Sequence, residues 1–220
     1  MNRTQRSAKA LYLALAVTLM PLGGCIGMTV GSGPSMNQDR QAGDFTRVAA
    51  EGSIDVDLTV GPASSLRVEA EENLLSKIKT EIRDGTLHID VDGSFATGKG
   101  IRVVATTPEL TAVSIAGSGD ILVKDAAGSS LSLAISGSGT IDAHGAVDSL
   151  SVVVSGSGDL RGFELPAKSV SATVSGSGDA DVNAAESLTA VVSGSGDIRY
   201  KGSPQVSETI SGSGSVSPAR

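Results

Sequence analysis

Three observations predict an all-β fold for this chain, a single-stranded parallel β-helix (a β-solenoid), for which right-handed winding is the default. First, the tetrapeptide Ser-Gly-Ser-Gly occurs five times, and a sixth copy differs only in its first residue, Ala116. Second, the copies start 18 to 20 residues apart, a period typical of stacked repeats. Third, apolar residues alternate with small or polar ones on both sides of each copy, as in strands with one buried face. The copies start at residues 116, 136, 155, 175, 193 and 211.

Residues 1–24 are predicted to be a lipoprotein signal peptide. Three basic residues precede an apolar run over 10–20, which is too short to span a bilayer and has the length of a signal-peptide core. The run ends in Leu22-Gly23-Gly24-Cys25, which resembles the lipobox of bacterial lipoproteins. That resemblance implies cleavage before Cys25 and an acylated Cys25 that anchors the protein to a membrane. The alternative is an ordinary secretory signal with a chance Cys.

The anchor predicts an exported protein of the cell envelope. Ile26 follows Cys25 in place of Asp, which by the lipoprotein rule indicates the outer membrane if the cell is Gram-negative. Without residues 1–24 the seventeen basic residues fall to fourteen, against twenty-four acidic ones, a net charge of −10. This acidic balance argues against nucleic acid and against an anionic lipid surface as partners. Residues 25–43, rich in Gly, Ser and polar groups, are predicted to be a flexible tether.

Residues 44–110 are predicted to be an N-terminal β part of the domain, with irregular opening coils that cap the solenoid. Its apolar alternation indicates strands over 54–60, 66–70, 86–91 and 101–106. The segment 73–79 is expected to form one helical turn capped by Asn73.

Residues 111–220 are predicted to be the solenoid repeats, with Ser-Gly-Ser-Gly at the corners. Val154 and its equivalents one period away form an apolar column that should point inward, whereas Val153 should point outward. Glycine permits a tight corner because it accepts positive φ, and the Ser hydroxyls are expected to bond backbone groups at the bend. The corner glycines are Gly117, Gly119, Gly137, Gly139, Gly156, Gly158, Gly176, Gly178, Gly194 and Gly196. Residues 202–220 are expected to form a short, weakly ordered cap, in which Glu208, in an otherwise apolar column, discourages end-to-end pairing. The alternative is that this end pairs with another chain to give a dimer.

The Gly-Ser-Gly-Asp copies at 117–120, 156–159, 176–179 and 194–197 resemble the bacterial head GIN domain family, described as an auto-transporter adhesin. The likeness covers residues 44–215. It implies a β-helix without recognised catalytic residues and a role in adhesion. Two copies depart from the family pattern, because Thr140 and Ser215 replace Asp.

The position after each corner stacks a column of carboxylates, Asp120, Asp159, Asp179 and Asp197. Like charges about 5 Å apart repel by about 1 kcal/mol in water. The side chains must therefore splay into solvent, accept hydrogen bonds from backbone N–H groups, or share cations. Backbone capping is the favoured interpretation, and these residues are weak candidates for Ca²⁺ ligands; no other cofactor or metal is predicted.

An outward column two residues further on reads Asp142, Arg161, Asp181, Arg199. The alternating charges predict a cross-coil ion-pair ladder, worth about 0.2–1 kcal/mol per exposed pair. A solvated face with accidental order is the alternative.

The favoured hypothesis is a non-enzymatic, lipid-anchored solenoid that acts in adhesion, surface interaction or scaffolding, with a protein or glycan ligand. The alternatives are a Ca²⁺-stabilised binding module and a polysaccharide-acting β-helix enzyme, in which Asp159, Asp179, Arg161 and Arg199 would be grouped. No catalytic residues are assigned: His88 and His144 lie far apart without ligand spacing, and no Ser sits in a nucleophile elbow.

Overall fold

The computed structural model describes residues 28–219, and within that range the chain is all-β, with 71% strand. Residues 28–219 contain no helix, and so none that could cross a membrane. The strands of the first half are β1 (Thr29–Val30), β2 (Ser35–Arg40), β3 (Arg47–Gly52), β4 (Asp55–Val60), β5 (Ser65–Glu71), β6 (Ile78–Arg83), β7 (Thr86–Val91), β8 (Phe95–Ala96) and β9 (Arg102–Thr107). Those of the second half are β10 (Ala112–Gly117), β11 (Asp120–Gly137), β12 (Thr140–Gly156), β13 (Asp159–Gly176), β14 (Ala180–Gly194), β15 (Ile198–Lys201), β16 (Gln205–Gly212) and β17 (Val216–Pro218).

The repeats stack as parallel coils of a β-solenoid, which confirms the predicted fold class. Ile135 lies opposite Val154, and Val154 opposite Val174, so that equivalent residues of successive coils are direct neighbours. We call the strand segments before each Ser-Gly-Ser-Gly corner the first wall and those after it the second wall. Strands β11 to β14 each run from the second wall of one coil into the first wall of the next.

The inward columns of the two walls form one hydrophobic cluster. Val154 is fully buried within it, whereas the adjacent Val153 is 42% exposed. The strict alternation of apolar and small residues therefore sets which side of each strand faces the core.

The N-terminal part adds layers to the same solenoid. Strands β3 and β4 pair in parallel with β10 and β11, and β7 and β9 stack in parallel beyond them. Antiparallel strands then close this end, β6 on the first wall and β5 with β2 on the second. The four strands expected between residues 54 and 106 are β4, β5, β7 and β9.

Three local expectations differ from the structure. Residues 29–40 of the expected tether form β1 and β2, because β2 pairs along its whole length with β5. Residues 72–77 form hydrogen-bonded turns that lead into β6, so the expected helical turn over 73–79 is wrong. The final coil is not weakly ordered, since all eight residues of β16 pair in register with β14; its Glu208 is exposed because no coil covers it in the described chain.

Candidate functional site

Each Ser-Gly-Ser-Gly corner joins the first wall to the second through two columns of glycine. The first column has φ between +120° and +146°, which residues with a Cβ rarely adopt. It comprises Gly117, Gly137, Gly156, Gly176, Gly194 and Gly212. The second column, Gly119, Gly139, Gly158, Gly178, Gly196 and Gly214, is constrained by packing alone, whereas the first column is constrained by both φ and packing. A Cβ on Gly158 would lie 2.3 Å from the carbonyl oxygen of Gly139 in the preceding coil, so that no larger residue fits.

The corner serines use their backbone N–H groups rather than their hydroxyls to link the coils. The N–H of Ser157 donates to the carbonyl oxygen of Gly137 at 2.8 Å, and that of Ser177 donates to Gly156 at 2.8 Å. The serine hydroxyls of these corners are exposed and have no hydrogen-bond partner within residues 28–219. The expected bonds from those hydroxyls to the bend are therefore not formed. The carbonyl oxygens at the bend accept hydrogen bonds from backbone N–H groups of the next coil instead.

A seventh corner, which the sequence analysis missed, lies between β3 and β4. Its residues Glu51 to Asp55 align with the first repeat, since Gly52 lies opposite Gly117. Ile54 stands where every later corner has its second glycine. A Cβ on Gly52 would meet nothing within 4 Å, because β7 pairs with β3 only as far as Ala50. No preceding corner therefore packs against this one. A larger residue, Ile54, can thus replace the second glycine here.

The aspartate column links each coil to the next. The N–H of Asp179 donates to Oδ1 of Asp159 at 3.0 Å, and the N–H of Asp197 donates to Oδ1 of Asp179 at 2.9 Å. Asp197 in turn accepts from the N–H and the hydroxyl of Ser215, both at 2.8 Å. Asp55, outside the predicted set, begins the column by accepting from the N–H of Asp120 at 3.1 Å.

The column is interrupted at Thr140, which has no carboxylate to offer. Its own N–H donates to Oδ1 of Asp120 at 3.2 Å, but the N–H of Asp159 turns to the carbonyl oxygen of Gly139, also at 3.2 Å. Across residues 28–219, no group of three or more His, Cys, Asp or Glu side chains is placed to hold a metal ion. The column is built for backbone capping, with one oxygen of each carboxylate bound to the next coil.

The predicted charge ladder is formed at one position only. Asp181 and Arg199 pair at 2.7 Å. Asp142 contacts His144 at 3.0 Å instead of Arg161, and Arg161 has no ion-pair partner in the described part of the chain. The four residues are adjacent in register, but the side chains at the first two positions turn elsewhere. Burial raises the pKa of Asp181, while Arg199 opposes that shift.

Two of the concave regions on the surface of residues 28–219 lie on opposite walls. The first, which we call the hydroxyl groove, has a volume of about 390 Å³ and runs along the coils where each chain segment enters the first wall. It is lined by Thr111, Ser130, Leu131, Ser132, Ser149, Leu150, Ser151, Ser169, Val170, Ser171, Ser187 and Thr189. The second, the charged cleft, holds about 230 Å³ on the second wall and includes Asp55, Asp57, Arg102, Asp120, Asp142 and Arg161.

The grouping proposed for sugar chemistry is only partly available. Asp159 and Asp179 each commit an oxygen to a backbone amide, and Arg199 is paired with Asp181. His88, on β7, and His144, on β12, belong to different layers of the solenoid. Cys25 and the predicted signal peptide over residues 1–24 lie outside the described residues.

A family model described as "Putative auto-transporter adhesin, head GIN domain" matches residues 44–204. The chain belongs to this family. No curated protein matches the sequence.

Solved structures show the same fold. A "putative adhesin" from Bacteroides fragilis is 24% identical, with a TM-score of 0.71 over 86% of this chain and 99% of that one. A "putative lipid binding protein" from Parabacteroides distasonis is 25% identical, with a TM-score of 0.55 over 88% of this chain and 100% of that one. A "putative adhesin" from Parabacteroides merdae is 17% identical, with a TM-score of 0.60 over 88% of this chain and 99% of that one.

Proposed function

We propose that this head GIN domain protein is a non-enzymatic, lipid-anchored solenoid of the cell envelope that binds a protein or glycan through the hydroxyl groove. The family description supports a role in adhesion. The observation that carries the proposal is the groove itself. Hydroxyls of successive coils form rows there, with about 4.8 Å between neighbours in a row, above the buried side chains of Leu131, Leu150 and Val170. Ser187 and Ser169 are hydrogen-bonded to each other at 3.0 Å along one row.

This lining suits an extended, uncharged ligand. Hydroxyls both donate and accept, so that a row of them matches the alternating groups of a glycan or of a peptide backbone. The charged side chains of this acidic protein lie outside the groove, which contains only Ser, Thr, Leu and Val. An approaching ligand therefore meets little electrostatic repulsion there.

The groove is tested by placing a charge in it. Ser151 is exposed, so Ser151→Arg should fold normally and block the groove. Ser157→Arg, at an exposed corner position, is the matched control. Binding to a glycan array and to whole cells should fall at least tenfold for Ser151→Arg alone. Equal binding by both variants would place recognition on another surface.

The anchor is tested at Cys25. Cys25→Ser should give an uncleaved or soluble protein, measured by intact mass and detergent partitioning. An unchanged mass and unchanged partitioning would refute lipidation.

Arg161 in the charged cleft is the observation that favours a second candidate function, action on a polysaccharide. Arg161 faces this cleft without an ion-pair partner in residues 28–219, as a residue that binds a sugar carboxylate would. Incubation with a panel of polyuronates tests the idea. Turnover that is lost in Arg161→Ala and Asp142→Asn would support an enzyme and overturn the first proposal.

A further inference from the structure

Large apolar side chains are exposed mainly at the two ends of the solenoid. Half of the six in residues 28–219 lie on residues 28–40, which we call the N-terminal strap: Met28 is 59% exposed, Val30 62% and Met36 44%. Val206 and Ile210 lie on the last coil, and Val153 is alone between the ends. Three exposed apolar side chains on one short segment make that segment a candidate contact surface.

The strap is fixed to the domain by specific contacts. The Asn73 side chain donates to the carbonyl oxygen of Val30 at 2.8 Å and accepts from the N–H of Ser32 at 2.7 Å. Arg40 donates to the carbonyl oxygens of Ile78 and Leu75 at 2.6 and 2.8 Å. The strap therefore moves with the solenoid and cannot act as a long spacer.

A buried carboxylate supports the same segment. Glu71 is only 3% exposed, and it accepts from the hydroxyl of Thr97 and from the N–H of Gly98. A Cβ on Gly31 would lie 2.7 Å from this carboxyl group, so glycine allows the strap to pass directly over it. The hydrogen bond from Thr97 is the main cause that lowers the pKa of Glu71.

Only Ile26 and Gly27 lie between Cys25 and Met28, and the three Cα–Cα steps from Cys25 to Met28 span about 10 Å at full extension. We propose that the N-terminal strap is a membrane-contacting surface, on which Met28, Val30 and Met36 touch the bilayer interface. This inference rests on the lipid anchor of the proposed function. The solenoid then stands with its N-terminal end at the membrane, and its last coil points away.

The charges around the strap fit a zwitterionic bilayer. Asp39 is paired with Arg67 at 2.7 Å, and Nζ of Lys99 donates to the carbonyl oxygen of Gly33 at 3.1 Å. Asp39 and Lys99 are thus bonded within the protein, whereas the exposed carboxylate of Glu72 beside Gly33 forms no ion pair in residues 28–219 and would be repelled by an anionic surface. The apolar side chains and the attached acyl chains, rather than charge, therefore determine the contact.

The experiment uses the acylated protein in vesicles of phosphatidylcholine and phosphatidylethanolamine. Cys25 is the only Cys in the chain, and acylation blocks its thiol, so a single introduced Cys can be labelled with an environment-sensitive fluorophore. Met36→Cys reports on the strap, with Ile210→Cys and Val153→Cys as matched exposed controls. Nitroxide lipids should quench the probe at 36 at least threefold more than the probes at 153 and 210.

The two possible failures are distinguishable. A parent protein that takes up label at Cys25 and lacks acyl mass would overturn the anchor and this orientation together. If the parent is acylated, equal quenching at all three sites, or stronger quenching at 153 or 210, would overturn the orientation alone.

Discussion

The two turns of each coil differ in how closely they repeat. The Ser-Gly-Ser-Gly corner keeps the same backbone in every repeat, and the register across it is continuous between neighbouring coils. The opposite turn varies in length and shifts the register, for example between Asp142 and Val147 and between Arg161 and Pro166. The corner packs against its own copy in every coil and so tolerates no change, whereas the packing of the variable turn differs from coil to coil. A Cβ on Gly145 would lie 2.1 Å from the carbonyl oxygen of Ala126, but one on Gly128 would meet nothing within 4 Å.

The difference extends into the walls. The first wall follows the variable turn and ends in the invariant corner, and its columns pair residue by residue as far as Gly194 and Gly212. In the second wall, successive coils pair in register at the start of each strand, and the register then shifts before the variable turn ends. Position on the coil therefore determines how much a substitution should cost.

The largest effect is expected next to the invariant corner. Val154→Asp would place a carboxylate in a fully buried column, which costs several kcal/mol or changes the charge state of the group. Val153→Asp, at a 42% exposed position, should cost less than about 0.5 kcal/mol. Circular dichroism in urea would measure both. Equal destabilisation would mean that the outward side of the first wall is also covered.

The corner glycine should come next, with a contrast between the two turns. Gly158→Ala pushes a Cβ against backbone 2.3 Å away and should cost about 3–4 kcal/mol. Gly128, in the variable turn, has a positive φ of 140°, which Gly158 does not, but a Cβ on Gly128 meets nothing within 4 Å. Gly128→Ala should therefore cost only the backbone strain, about 1–3 kcal/mol. The free energies of unfolding would rank the two, and the reverse order would contradict the packing explanation.

Much of this architecture follows from the sequence because the period and the alternation are explicit in it. The stacked coils, the inward position of Val154 and the extent of the likeness from residue 44 all rest on those local patterns. The corner at Glu51–Asp55 was missed because Ile54 removes the second glycine. The only signal was Gly52-Ser53 just before an alternating strand.

Non-local pairing explains the other misses. The chain runs through β3 and β4, continues to β7 and β9 at the outer end, and then returns to β10 beside β3. No spacing rule in the sequence encodes that order. The strap likewise depends on Asn73 and Arg40 contacting residues more than thirty positions away.

A smaller effect is expected in the aspartate column. Asp179→Ala removes the acceptor for the N–H of Asp197 and should cost about 1–2 kcal/mol, since a bond to a charged group is lost from a partly buried site. Thr140→Ala is the matched control, because the N–H above it already uses the carbonyl oxygen of Gly139. Thermal unfolding should separate the two variants by several degrees. Similar melting temperatures would show that the carboxylates add little to coil stacking.

The smallest effect is expected for the one ion pair on the charge ladder. Arg199 is half exposed and Asp181 is 14% exposed, so a double-mutant cycle with Arg199→Ala and Asp181→Asn should give a coupling of about 0.2–1 kcal/mol. The equivalent cycle at Arg161 and Asp142 should give none.

Burial raises the pKa of Asp181 in the folded protein. The stability associated with its neutral form is therefore present below the ordinary Asp value of about 4 and is lost as the pH rises through the raised value. Asp181→Asn should flatten that decline, measured as the free energy of unfolding against pH, and Arg199→Ala should steepen it, because Arg199 opposes the shift. An unchanged pH profile in both variants would show that the charged form of Asp181 does not lower the free energy of unfolding.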